Sequence, residues 1–322
     1  MTTEALPLIQ TKLYRPPVQA GLIPRPRLLD LLNAHWKTRP LTLISAPAGY
    51  GKSVLASMWL DSCDCPRGWV SLDETDNYLH TFIGYLLAAI KRAFPDISFQ
   101  TQALLETETP LPAPMLARYL LNDLDQIDKP FILVLDDVHL IHDKPILDLL
   151  TELLKHPPQA THLVLISRQD PLIPVASLRA YRLITEIRLN DLRFRPPETA
   201  ELLKQILHRD IDEDLAAEWT KNTEGWATAL HLASLSLSHR QETADLGSNV
   251  QSDSHYLQEY LLAEVLTRIP PDKQTWLLKN LLARSFLRPF MRSCLPGRGR
   301  NPHWPGIFEL VAGVQLVPDT PG

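Results

Sequence analysis

The stretch Ala46-Pro-Ala-Gly-Tyr-Gly-Lys-Ser53 decides how the rest of this sequence is read. Directly before it, Leu41-Thr-Leu-Ile-Ser45 is a compact apolar run of the kind a parallel strand shows when both its faces are covered. Directly after it, Ser53 to Leu60 suits a helix. The pattern G-x-x-x-x-G-K-[ST] is met at Gly51, Lys52 and Ser53, while Ala46 replaces the first glycine. Alanine serves there if the backbone needs no positive φ. Gly49 and Gly51 let successive N–H groups converge on phosphate oxygens, and the positive end of the following helix adds to the attraction. Lys52 meets the β and γ charge, and the Ser53 hydroxyl is placed to ligate Mg²⁺. A turn with no chemical purpose leaves the Lys-Ser pair after the glycine unexplained. The expected nucleotide contacts are Ala46, Gly49, Tyr50, Gly51, Lys52, Ser53 and Val54.

Outward from the loop, Leu28 to Trp36 reads as a short helix and Trp69-Val-Ser-Leu-Asp73 as the next strand, which makes a βαβ unit. Leu79 to Phe94 carries Phe82, Leu86, Leu87, Ile90 and Phe94 at helical spacing. Gln100 to Pro114 reads as a proline-bearing connection. Phe131-Ile-Leu-Val-Leu135 ends in Asp136-Asp137, and Leu163-Val-Leu-Ile166 ends in Ser167-Arg168; both suit central parallel strands. A carboxylate at the carboxyl end of a strand beside the loop suits Mg²⁺, so Asp136 is the expected metal partner. Asp137 then orients the attacking water, and Arg168 reports on the γ-phosphate. Lys52, Asp137 and Arg168 are thus the candidate catalytic groups. Beyond Phe194 the periodicity is helical only, over Glu198 to Leu207, Asp212 to Lys221, Trp226 to Leu237 and Tyr256 to Arg268. An α/β domain followed by an all-α one is the expected architecture.

Composition narrows the class further. The 322 residues, 45% of them hydrophobic, can supply a full core, and a net charge of −5 argues against a chain that coats nucleic acid or an anionic membrane. No run of about 18 apolar residues exists to span a bilayer, so the cytoplasm is the expected compartment. Cys63, Cys65 and Cys294 lack zinc spacing and read as reduced. His139, His142, His156 and His162 show no ligand pairing. The prolines at 16, 17, 24 and 26 make Thr11 to Pro26 an extended lead-in without packed structure. Within it, Arg25 and Arg27 either contact nucleotide or solvate a turn.

Seven blocks together resemble one family, the MalT-like, large LuxR-family regulators within the STAND class of signalling ATPases. They are Thr11-Lys-Leu-Tyr-Arg-Pro-Pro17, Gly21-Leu-Ile-Pro-Arg-Pro-Arg-Leu28, Ser45-Ala-Pro-Ala-Gly-Tyr-Gly-Lys52, Trp69-Val-Ser-Leu-Asp73, Leu133-Val-Leu-Asp-Asp137, Leu165-Ile-Ser-Arg168 and Thr223-Glu-Gly-Trp226. The resemblance implies a three-layer P-loop NTPase domain over 28–194 and a small all-α helical lid over 195–250. It further implies a winged-helix start over 251–280, and a lead-in over 1–27 whose Ile23 and Arg25 cover the adenine. Also implied are ATP/ADP and Mg²⁺ as cofactors, slow hydrolysis, self-oligomers, and DNA contact only through a C-terminal helix-turn-helix. Gly225-Trp226 should begin the lid helix, although Ala227 stands where many relatives of the wider class have Pro.

The same comparison predicts a break. Family members continue for several hundred residues past the winged-helix start, whereas this chain departs from them after Lys279. Residues 280–322, read one base later with permitted codons, spell a family-like winged-helix segment. The expectation is a frameshift near residue 280, leaving a broken winged-helix start and an out-of-frame, disordered tail over 281–322. Readings from other classes are a P-loop motor or loader on nucleic acid, which would want basic or aromatic stripes, a small-molecule kinase with an Arg-rich lid, and an inactive fragment.

Overall fold

The computed structural model describes residues 8–244 apart from 106 and 108–110, and for 236–244 it describes the backbone alone. The helix expected at Tyr256 to Arg268, the winged-helix start and the tail over 281–322 therefore lie outside the described residues. The described part falls into two compact units that divide between Arg193 and Phe194.

The first unit is built on a five-stranded parallel sheet. Its strands are β1 (Leu41–Ser45), β2 (Arg67–Ser71), β3 (Phe131–Asp136), β4 (Thr161–Ser167) and β5 (Ile184–Arg188), in the spatial order β2-β3-β4-β1-β5. Every residue of β1 and β3 is buried, which requires cover on both faces of the sheet. That cover comes from α1 (Pro26–His35), α2 (Lys52–Ser62), α3 (Leu79–Ala93), α4 (Gln100–Leu105), α5 (Ala113–Asp125), α6 (Lys144–Lys155) and two short helices, α7 (Ala176–Ala180) and α8 (Leu189–Leu192). The result is the three-layer α/β fold of a P-loop NTPase. The core is apolar, with Phe82, Phe131, Leu43, Leu86, Ile90, Leu116 and Leu165 fully or almost fully buried. His162 of β4 belongs to it as a neutral group: burial drives its pKa down to about 4, and its ring nitrogens reach Thr42 Oγ1 at 3.0 Å and the Arg39 carbonyl at 2.6 Å.

The structure differs from the sequence reading at four points. β2 runs over Arg67–Ser71, two residues earlier than the apolar pattern suggests. Asp73 does not extend it, because its side chain caps the 3-10 turn Glu74–Asp76 in a reciprocal capping box with Asp76. The segment Gln100 to Pro114 is not a bare connection. It contains α4, whose first amides at Gln100 and Thr101 donate to the buried carboxylate of Asp123 at 3.0 and 2.8 Å, and it contains the start of α5. β5 has no counterpart in the sequence reading, since Ile-Thr-Glu-Ile-Arg mixes charge into a short strand with one sheet neighbour.

The lead-in is the fourth. Gln10–Leu13 form a 3-10 turn, Leu13 and Ile23 are buried, and the segment is fixed at several points. Lys12 Nζ lies 2.7 Å from Asp73 and 2.8 Å from Asp76, Arg15 donates to the Ser57 carbonyl at 2.7 Å, and Ser57 Oγ donates to the Pro16 carbonyl at 2.5 Å. Proline limits the backbone conformations of such a segment but leaves its side chains free to dock.

The second unit contains α9 (Pro196–Leu207), α10 (Glu213–Asn222) and α11 (Ala227–Ala244). Leu203, Trp219, Trp226 and Leu230 are buried among them, and Thr220 Oγ1 donates to Thr199 Oγ1 at 2.7 Å. Glu224 and Gly225 both adopt positive φ in the turn that ends α10.

Candidate nucleotide site

β1 ends in the middle of the sheet, and the loop after it turns over the carboxyl ends of the strands. The Ala46 amide donates to the Ser167 carbonyl at the end of β4, 3.3 Å away, so the first loop residue stays tied to the sheet. Ala46 has no positive φ, whereas Gly49 (φ 79°) and Gly51 (φ 75°) both do. This separates the position where Ala suffices from the two that need glycine. Gly51 is the residue before α2, and a Cβ built on it would meet no atom within 4 Å. The space beside Gly51 is open, and the first amides of α2 have no partner within the helix.

Lys52 folds back across the loop, its Nζ donating to the Pro47 carbonyl at 2.9 Å. Burial, aided by the nearby Arg168 cation, pulls its pKa down to about 8, against the opposing pull of Asp137 and Asp136. Those three side chains come from the ends of two neighbouring strands, β3 and β4, and all act on the same ammonium group. The sheet order explains it: β4 lies between β1 and β3, so Arg168 stands between the loop lysine and the acid pair.

Asp136 closes β3 and is 6% exposed. Burial first, then the neighbouring Asp137 carboxylate, pushes its pKa up to about 6. The Ser53 side chain hydrogen-bonds it, and the Asp137 amide donates to Asp136 Oδ1 at 3.0 Å. Asp137 is half-exposed and holds a left-handed backbone (φ 58°, ψ 36°), a conformation that costs a non-glycine residue about 1–3 kcal/mol and clusters at functional sites. His139 Nδ1 lies 3.7 Å from its carboxylate.

The residues present fit Mg²⁺. An aligned Ser hydroxyl and carboxylate are hard oxygen ligands, and a buried carboxylate held against its own desolvation is relieved by a divalent cation. Mg²⁺ takes one or two protein ligands beside phosphate oxygens, so a cage of acids is not required.

The remaining expected contacts are placed less centrally. Tyr50 is buried within the loop, and Val54 is exposed on the first turn of α2. Ile23 is buried in the lead-in. The Arg25 guanidinium donates to the carbonyls of Leu192 (2.7 Å), Arg193 (3.0 Å) and Asp191 (3.3 Å), fastening the lead-in to the end of α8. Sequence reasoning passed over Lys12, Asp76 and Asn77, which gather at the end of β2 beside the acid pair. Their partners lie 63 to 66 residues away, a distance at which no local pattern carries a signal.

A model of the AAA ATPase domain matches residues 25–166. The HTH-type transcriptional regulator MalT of Klebsiella pneumoniae subsp. pneumoniae is 34% identical over 280 residues, covering 86% of this chain and 31% of that protein. MalT of Vibrio cholerae is 34% identical over 276 residues, 84% of this chain and 30% of that protein. The chain thus spans about a third of the length of the curated relatives it matches. Among solved structures, a Walker-type ATPase of Pyrococcus abyssi aligns with TM-score 0.48 and 15% identity, covering 87% of this chain and 79% of that one. Over the aligned 280 residues this chain is a homologue of the MalT-type transcriptional regulators, and its residues 25–166 match the AAA ATPase domain.

Proposed function

We propose that this chain is the nucleotide switch of a MalT-like transcriptional activator, holding ATP or ADP with Mg²⁺ at the carboxyl edge of its sheet. The observation that supports this most is the alignment of Ser53 with Asp136 beside a buried, pKa-depressed Lys52. Backbone amides from Gly49 to Val54 hold the phosphates, Lys52 balances the β and γ charge, and Ser53 and Asp136 hold the metal. Bound Mg²⁺ would neutralise charge that accumulates on the phosphates.

Hydrolysis joins water to the γ-phosphoryl group and releases ADP and phosphate. Asp137 orients that water and Arg168 senses the γ-phosphate, so the two nucleotide states differ in what they offer Arg168. Slow turnover makes the domain a timer rather than a motor. On this reading Ile23 and Arg25 lie over the base, residues 195–250 act as a lid, and the working location is the cytoplasm. Self-association and DNA contact through a helix-turn-helix are properties this reading assigns to the longer regulators.

Titration of the full chain with fluorescent ADP and ATP in the presence of Mg²⁺ tests the proposal. Saturable binding that Lys52→Ala weakens by at least tenfold is expected. Absence of binding, or equal binding by Lys52→Ala, would remove it.

A further inference from the structure

We infer that Asn77 is a positioning residue for hydrolysis, holding the turn that presents Asp137 to the attacking water. The inference rests on the proposed function and adds a role that neither the phosphate loop nor the acid pair contains.

Asn77 stands just past the 3-10 turn Glu74–Asp76, at the edge where β2 and β3 end side by side, with Ser71 in register with Asp136. Its side-chain amide is fully committed. Nδ2 donates to the Leu140 carbonyl at 2.8 Å and to the Glu74 carbonyl at 3.1 Å; Oδ1 accepts from the His142 amide at 2.7 Å and the Asp143 amide at 3.1 Å. Two donors meet carbonyls and one oxygen meets two amides, so the orientation of the group is dictated by its partners.

What Asn77 grips is the segment leaving Asp137. The Leu140 amide bonds the Asp137 carbonyl at 3.0 Å and the Ile141 amide bonds the Val138 carbonyl at 3.0 Å, closing a short 3-10 turn that begins at Asp137. Asp143 is the residue before α6. Asn77 therefore fastens the 140–143 segment at both ends, between the turn and the helix. Asp137 needs that support because its backbone is left-handed, a state that persists where the surroundings hold it.

Asn77 is anchored in turn. Asp76 is 1% exposed, accepts the Asp73 amide at 2.8 Å, and binds Lys12 of the lead-in through both oxygens at 2.8 Å. The lead-in, the β2 edge and the β3 edge thus form one continuous set of polar contacts ending at the water-orienting acid.

The test is single-turnover ATP hydrolysis by the full chain with Mg²⁺, alongside affinity for a non-hydrolysable ATP analogue and thermal stability. Asn77→Ala should slow turnover about tenfold, with affinity unchanged within about twofold. Asn77→Asp keeps the accepting oxygen but loses both donors, to Leu140 and to Glu74; it too should slow turnover, and it carries the comparison if the alanine variant does not fold. In an Asp137→Asn background, Asn77→Ala should produce no further loss, because the two act as one unit. Wild-type turnover in Asn77→Ala, a parallel fall in affinity, or a full further loss in the Asp137→Asn background would each overturn the role. A wild-type chain that binds ATP without turning it over overturns the hydrolytic reading and this role together. A hydrolysing wild type matched by Asn77→Ala overturns this role alone.

Discussion

Lys52 and Asp136 are both buried, and both titrate away from their usual ranges in the direction that favours the neutral form. Asp136 has its pKa raised from 3.8 to about 6, a difference of roughly 2 units or about 3 kcal/mol at about 1.4 kcal/mol per unit. The sign follows from linkage. Between pH 4 and 6 the folded chain keeps a proton that the unfolded chain has released, so the penalty is full above pH 6 and fades toward pH 4. Asp136→Asn should therefore stabilise the empty protein at pH 7 to 8 by up to about 3 kcal/mol, a gain that vanishes near pH 4, while Mg²⁺-dependent nucleotide affinity falls. Urea unfolding at the two pH values, with titrations beside it, checks both halves. Lys52 works the other way around. With a pKa near 8 in the empty site it is charged at pH 7 and mostly neutral at pH 9, so ATP affinity should drop roughly tenfold over that interval. A pH-independent affinity would mean that the ammonium group does not carry phosphate charge.

At the scale of elements, β2 and α3 meet where side chains are smallest. A Cβ added at Gly68 of β2 would lie 3.1 Å from a Leu133 methyl and 3.2 Å from the Ala89 carbonyl oxygen of α3. The helix backbone cannot step aside as a flexible side chain does. Gly68→Ala should cost about 1–3 kcal/mol of stability by overpacking, seen as a lower urea midpoint with an unchanged slope. Elements also set how much was legible in the sequence. β1, β3 and β4 announce themselves because a strand covered on both faces must be apolar throughout, and the acids and arginine that end β3 and β4 follow from those boundaries. β5 escaped because Glu186 and Arg188 serve surface ion pairs with Arg179 and Asp170 and interrupt the apolar run. α4 escaped because its cap is Asp123, more than twenty residues away, rather than a neighbouring Ser or Asp. The lead-in was misread for a related reason: prolines describe its backbone, while Lys12 and Arg15 decide what it does.

For the whole molecule, binding and stability are coupled. Any ligand held only by the folded state raises its stability by mass action, about 2.7 kcal/mol at a hundredfold excess over Kd. Mg²⁺ with ADP should therefore lift the melting temperature of the chain by several degrees, and the lift should fall to about half or less in Lys52→Ala, whose binding is at least tenfold weaker. An equal shift in both proteins would place the ligand elsewhere. The phosphate loop, the acid pair and Arg168 were readable from residues alone, because each sits where a buried strand stops. The clasp of Asn77 on the 140–143 segment was not, since it exists only once the sheet has put β2 beside β3.

The strand order has a consequence for synthesis on the ribosome. β1, which carries the phosphate loop, pairs with β4 and β5, with Leu41 opposite Leu163 and Ile184, while its sequence neighbour β2 pairs with β3 instead. A nascent chain halted before residue 161 holds the complete loop yet lacks the strand against which β1 is laid, together with the Ser167 carbonyl that ties down Ala46. At about 5–20 residues per second, more than a hundred residues must follow the loop, a delay on the order of ten seconds. Nucleotide therefore meets no competent site on the growing polypeptide until β4 has emerged, and the strand that bears the loop waits for partners translated long after it.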